Sequence, residues 1–180
     1  MSKLYVDEIQ PKTTGGIINA KNMVIQMPFT QYTGTTEVST NTTSKAVDVL
    51  SVSITPKSTS SIIRLDANIF HEWTQADASY LCMWFFYRDS TKLGAAQAGS
   101  RLSGITCSGL SYYAQDASST PEVASYSYFD TPSTTNLITY KVGVVSHHTT
   151  SVHINRTVSD GDNTSNNRGL SFISATEIGG

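Results

Sequence analysis

The sequence predicts an all-β protein: an antiparallel two-sheet, jelly-roll-like sandwich preceded by an extended N-terminal arm. Three observations predict it. The composition is dominated by residues that suit pleated sheets, short alternating segments follow one another at turn-sized intervals from Phe29 onward, and the first 28 residues lack that regularity.

The chain holds 25 Ser and 24 Thr, while charged residues make up only 14% of it. Lys and Glu, which crowd the exposed faces of helices, are scarce, and dense apolar runs at 80–87 and 137–145 exclude a disordered Ser/Thr-rich tail. A length of 180 residues accommodates one sandwich and an appendage but not a second full domain. The net charge of −2 leaves no electrostatic footprint for nucleic acid or an anionic membrane. No segment approaches the ~20 apolar residues of a membrane span. The opening MSKLYVDEIQ has no apolar core of secretory length, so a soluble protein assembled in a cytoplasm is expected. Cys82 and Cys107 are too few for a disulfide framework and have no CxxC partner, and both are expected to be small buried hydrophobes.

The arm, residues 1–28, is a series of apolar patches with no core of their own: Leu4, Val6 and Ile9 in alternation, then Ile17 and Ile18, then Met23 to Met27. Such segments are stable when laid on another surface, so the arm is expected to dock on a partner, with residues 29–180 forming the folded domain. The competing reading of 23–28 is a leading strand of that domain. Expected strands follow at 29–36 and 45–54; in the latter, apolar positions change phase between Val49 and Leu50, as at a bulge. Ile63, Leu65, Ala67 and Ile69 alternate cleanly with Arg64, Asp66 and Asn68 across 62–73. The run 80–88 is apolar on both faces and predicts a strand covered by its own sheet and by a neighbouring subunit. Trp84 and Phe86 are therefore candidates for the interface of a homotrimer, the competing reading being core residues on a central strand of an ordinary monomeric sandwich. Residues 89–122 are glycine-spaced and weakly patterned, with room for one or two short strands. Strands at 123–130, 137–146, 151–157 and 169–178 complete about eight, without a convincing helix, repeat or heptad run.

The motifs that could carry chemistry are sparse. His147, His148 and His153 fall on one strand-turn-strand stretch but lack the further ligands of a structural zinc site, so surface or interface histidines are expected. SDGDN at 159–163 has calcium-loop oxygens without the closing Glu, and Asp160-Gly161 reads as a hairpin turn. There is no GxSxG elbow, no phosphate-binding glycine loop and no evident carboxylate pair for glycan cleavage, so neither an enzyme nor a cofactor is expected. Trp73, Trp84, Tyr80, Tyr112, Tyr113, Tyr126 and Tyr128 could form a saccharide-stacking platform; Tyr112 and Tyr113, in the glycine-rich stretch, are the candidate receptor contacts, with glycan as the ligand class and packing on a neighbouring subunit as the competing reading.

The opening MSKLYVDEIQPKTTGGIIN resembles the start of virion structural proteins of marine and cyanobacterial tailed phages, in which a short arm precedes a fibre domain. The runs VLSVSITPKSTSSIIRLDANI (49–69), SYSYFDTPSTTNLITYKV (125–142) and SATEIGG (174–180) are similar to the same group. The resemblance implies a homotrimeric β-sandwich, mounted on the virion by its arm through contacts with other virion proteins. Because no shaft separates arm from head, it favours a short fibre, a head, collar or tail appendage, or a capsid decoration over a long tail fibre. A glycan-binding tailspike or receptor-binding module, and a trimeric signalling ligand, are the alternatives from other classes.

Overall fold

The computed structural model describes residues 21–75, 78, 80–108 and 119–180. Its strands are β1 (Val24–Gln26), β2 (Phe29–Tyr32), β3 (Thr36–Thr40), β4 (Lys45–Ile54), β5 (Ile62–Trp73), β6 (Cys82–Arg88), β7 (Thr91–Leu93), β8 (Glu122–Asp130), β9 (Ile138–Ser146), β10 (Thr150–Ile154) and β11 (Ser171–Ile178). Their pairing is nested and antiparallel: β6 with β7, β5 with β8, β4 with β9, β3 with β10. A long hairpin rolled up in this way deals successive pairs to alternate sheets, which is jelly-roll wiring. One sheet holds β4-β9-β6-β7; the other, of seven strands, is built on β5, with β8 on one side and β10 and β11 on the other. The expected all-β sandwich is what the chain forms. Among the described residues no helix is long and apolar enough to cross a membrane.

The sequence explains each layer. In β5, Ile63, Leu65, Ala67 and Ile69 are buried between the sheets. In β4, the inward set moves from Val47 to Leu50, Val52 and Ile54, and the register with β9 slips between Val47 and Ser51, so the change of phase marks a bulge. The β6–β7 turn needs only Asp89 and Ser90; Asp89 adopts φ of 51°, which Asp tolerates, and its carboxylate accepts from the Thr139 N–H at 3.0 Å.

Strand β6 follows the second of its two readings, a central strand of the sandwich. Cys82, Trp84 and Phe86 point into the core of this one chain, and Trp84 and Phe86 are fully buried there rather than at a subunit interface. The opposite face of β6 is covered by the same chain. Phe85 lies over Gly143, where any Cβ would overlap its ring, and the Lys92 ammonium sits 4.2 Å from the ring centroid. A strand apolar on both faces was read as needing a neighbour, but a glycine on the adjacent strand and a lysine stem supply the second cover.

The arm boundary also moves. Residues 22–28, assigned to the arm, lie along β11: Asn22 N–H donates to Gly179 O at 2.7 Å, Val24 pairs with Ile178, Gln26 pairs with Glu177, and Ala175 N–H donates to Pro28 O at 3.0 Å. Leu4, Val6, Ile9, Ile17 and Ile18 lie outside the described residues. Cys82 is buried as expected, whereas Cys107 is exposed, and both are free thiols. Asp160-Gly161 lies in a wide loop rather than a two-residue turn between strands: its arms meet in an isolated antiparallel bridge of Arg156 with Arg168. The long connection from β10 to β11 is held by Arg168 on Asp160 and by the Asn166 amide on Gly161 O at 2.8 Å.

The register gives the sandwich two ends. Val24, Ile62, Asp130 and Ile178 mark the base, so the chain comes into the domain beside Gly180. The described residues 41–44, 74–75, 80–81, 119–121 and 147–149 lie at the other end, the apex, next to the paired strand ends Thr40 with Thr150, Trp73 with Val152, His71 with Glu122 and Cys82 with Ser146.

Candidate functional site

Loops at the apex hang from buried polar side chains. Strand β5 ends in His71, Glu72 and Trp73, all buried, where alternation would expose the middle one. Glu72 stays covered because loops fold over it: its Oε1 accepts from the N–H of Thr120 at 2.6 Å and from the Thr120 hydroxyl at 2.9 Å, and its Oε2 accepts from Val158 N–H at 2.6 Å. One carboxylate thus fixes two connections whose described residues contribute only isolated bridges to the sheets.

Ser108 is the second anchor. Its hydroxyl lies 2.7 Å from His71 Nε2, and the indole N–H groups of Trp73 and Trp84 donate to its Oγ at 3.3 and 3.2 Å. His71 Nδ1 lies 3.1 Å from Ile69 O; a carbonyl only accepts, so Nδ1 carries the proton and Nε2 accepts from Ser108. Burial pushes the His71 pKa down to about 4, against a smaller opposing effect of the Ile69 carbonyl. With a neutral imidazole, the 3.6 Å approach of Nε2 to Glu122 is not an ion pair, despite its geometry. A Ser, a His and a Glu do meet here, but Ser and Glu face the same ring nitrogen, and the Ser108 Oγ is buried with its lone pairs engaged by two indoles. The cluster ties the loop that leaves at 108 to both sheets.

The outer face of the four-stranded sheet carries a groove of about 590 Å³ at its apex end. The floor is apolar, from Leu81, Met83 and Val145. One wall is the flap 97–103, which is folded on itself: Gln97 donates to Gly99 O and Arg101 O at 2.9 and 2.6 Å, and Ser103 donates back to Gln97 Oε1 at 3.0 Å. The flap returns to β6 at Gly104, where a Cβ would come within 2.8 Å of Met83 Cβ and Trp84 O, so only glycine permits the approach. The other wall includes Ser44, His147 and the exposed ring of Tyr80.

Among the described residues, two cations and no carboxylate line this groove. Lys92 Nζ has Ser44 and Ser103 hydroxyls at 3.4 Å and the Phe85 ring beneath it, and burial lowers its pKa. The Arg101 guanidinium reaches only Ala98 O. Neither has a carboxylate partner among the described residues. Such a lining can hold a small anion with an apolar face, while the neutral hydroxyls and amide order its polar edge.

The residues singled out in the sequence are dispersed. Trp73, Trp84 and Tyr126 are core, the last donating to Phe85 O at 3.0 Å. Tyr112 and Tyr113 lie outside the described residues. His147 packs against His148, rings 4.9 Å apart, while His153 faces Thr74 and Glu37 elsewhere; burial, then Arg156, lowers its pKa. Among the described residues no three His, Cys, Asp or Glu side chains are arranged to hold a metal. Tyr80 was visible only as one aromatic of the run 80–88, and Lys92 and Arg101 only as isolated charges in a weakly patterned stretch; their place on one groove needs the flap.

The fold and site together define an all-β sandwich with a loop-bearing apex. Neither a protein-family model nor a curated protein matches the chain in sequence.

Proposed function

We propose that this chain is a non-enzymatic structural subunit of a tailed-phage particle, a short fibre or a head, collar or tail appendage, docked through residues before Lys21 and turned with its apex toward the host surface. The observation that supports it most is the polarity of the sandwich. The chain comes in at the base, alongside the C-terminus, and the long loops and the groove lie at the far end. A protein held at one end and reading a surface with the other needs that separation. Twenty residues precede Lys21, and an extended segment of that length reaches ~66 Å at ~3.3 Å per residue, enough to cross onto another virion protein and add to a sheet edge. The phage-like opening residues fall within it. Assembly as a homotrimer is part of the proposal, and its support is no longer β6 but the outer face of the seven-stranded sheet, where Phe29 and Phe129 are more than 60% exposed. A receptor-binding module is the second reading, favoured by the groove.

The test is deletion of residues 1–20. The truncated protein is expected to unfold cooperatively, to sediment as three chains, and to be missing from purified particles. Normal incorporation would move the docking site onto the sandwich body, and a monomer at micromolar concentration would remove the trimer.

A further inference from the structure

We infer that the apical groove on the outer face of the four-stranded sheet binds a carboxylated sugar, with Lys92 and Arg101 meeting the carboxylate and Tyr80 stacking on the ring. The inference rests on the proposal that the apex meets a host surface, and it names the class of ligand met there.

Four features of the groove lead to it. Lys92 is held in place without a counter-charge among the described residues, its ammonium between an aromatic face and two hydroxyls that are both at the long limit of a hydrogen bond. Partial burial weakens its hydration, so an incoming carboxylate offsets a penalty that already exists in the free protein. A second cation, Arg101, lines the same space with its carbonyl fixed by Gln97, and among the described residues no acidic side chain lines it to repel an anion. The remaining surface has two characters at once: an apolar floor of Leu81, Met83 and Val145, and hydroxyl-bearing walls. A pyranose ring has the same two characters, C–H groups on its faces and hydroxyls on its rim. The exposed Tyr80 offers the flat surface such a ring stacks on. A simple inorganic anion would use the two cations and leave the floor and Tyr80 uncovered. A neutral sugar would leave the partly buried Lys92 with only its hydroxyl and ring contacts and no counter-charge. A volume near 590 Å³ suits one or two sugar residues.

The experiment is calorimetric titration of the full-length protein with a glucuronic-acid disaccharide, with its carboxyl-reduced neutral counterpart, and with acetate, at low salt. The acidic disaccharide is expected to bind at least roughly tenfold more tightly than either control, and more weakly as salt rises. Lys92→Met, which keeps the stem on Phe85, and Arg101→Met on the exposed flap should each reduce that affinity by about ten- to a hundredfold, the range of a lost charge-assisted hydrogen bond. Tyr80→Ala should weaken both sugars without affecting acetate. Equal binding of the acidic and reduced sugars, acetate binding as tightly as the disaccharide, or Arg101→Met behaving as wild type would each overturn the inference, as would absence of binding by the wild-type protein. Particle incorporation separates the two ideas: a protein that ignores uronate but still enters particles loses the groove and keeps the structural role, whereas one that binds uronate but is missing from particles loses the role and keeps the groove.

Discussion

The two ends of this sandwich are each organised around a buried glutamate, and the difference between them lies in what each one holds. At the base, Glu177 Oε1 accepts from Lys57 N–H at 2.6 Å and the Ser61 hydroxyl at 2.7 Å, and its Oε2 accepts from the Gln26 amide at 2.5 Å. Those partners lie in a short turn and in β1, a few residues from regular ladder. At the apex, Glu72 holds Thr120 and Val158, which belong to long connections with little ladder beside them. The base is further closed by Asp130, which accepts from Arg88 at 3.0 Å and from Tyr140 at 2.7 Å; burial and that hydrogen bond raise the Tyr140 pKa. The same chemistry locks an end that is already sheet and tethers an end that is mostly loop. A carboxylate accepting backbone N–H groups replaces strand pairing where the chain has left the sheet.

The largest expected effect concerns the apical core. Trp84 fills the space between the sheets and also donates to Ser108, so Trp84→Ala should destabilise the domain by about 3–5 kcal/mol in urea melts. Because the ring is inside one chain, its subunit number should be unchanged in sedimentation; dissociation without loss of stability would return Trp84 to an interface.

Next come the two glutamates, compared directly. Glu72→Ala and Glu177→Ala should each cost about 3 kcal/mol, since buried backbone donors lose their acceptor. Limited proteolysis tells them apart: Glu72→Ala should open cleavage near 119–121 and 158–168, and Glu177→Ala near 22–28 and 55–61. Identical cleavage patterns would mean that the ends are not independently anchored.

A smaller, graded effect follows from His71, whose folded pKa of about 4 lies below its unfolded value near 6.5. Between those values the unfolded chain binds a proton that the folded chain refuses, so stability falls as pH drops through that window, by about 1.4 kcal/mol per unit. His153, lowered in the same sense, adds to the slope. Urea melts between pH 7.5 and 4.5 should show the decline, and His71→Asn should flatten it; an unchanged slope in that variant would assign the proton elsewhere. The smallest effect is at the surface. Lys141 and Asp48 form a 2.7 Å pair with Asp48 largely in solvent, and Lys141→Ala should change stability by less than about 1 kcal/mol.

Alternation was enough to find most strands. The expected spans 45–54 and 62–73 coincide with β4 and β5, and the bulge in β4 was visible as a change of phase. Strand β1 was misassigned because three residues without a core of their own look the same whether they dock on a foreign sheet or on β11. β7 was too short to leave a pattern, and its turn depends on one Asp at positive φ.

What the sequence determined by itself was therefore the class of fold and the inward face of its long strands, because burial of one face imposes a period of two on the residues, and that period survives in one dimension. What only the tertiary structure decided was which partner covers the second face of β6, which loops Glu72 and Ser108 tie down, and that Lys92, Arg101 and Tyr80 line a single groove. These are contacts between residues far apart along the chain, set by sheet register and loop closure, and no local periodicity encodes them.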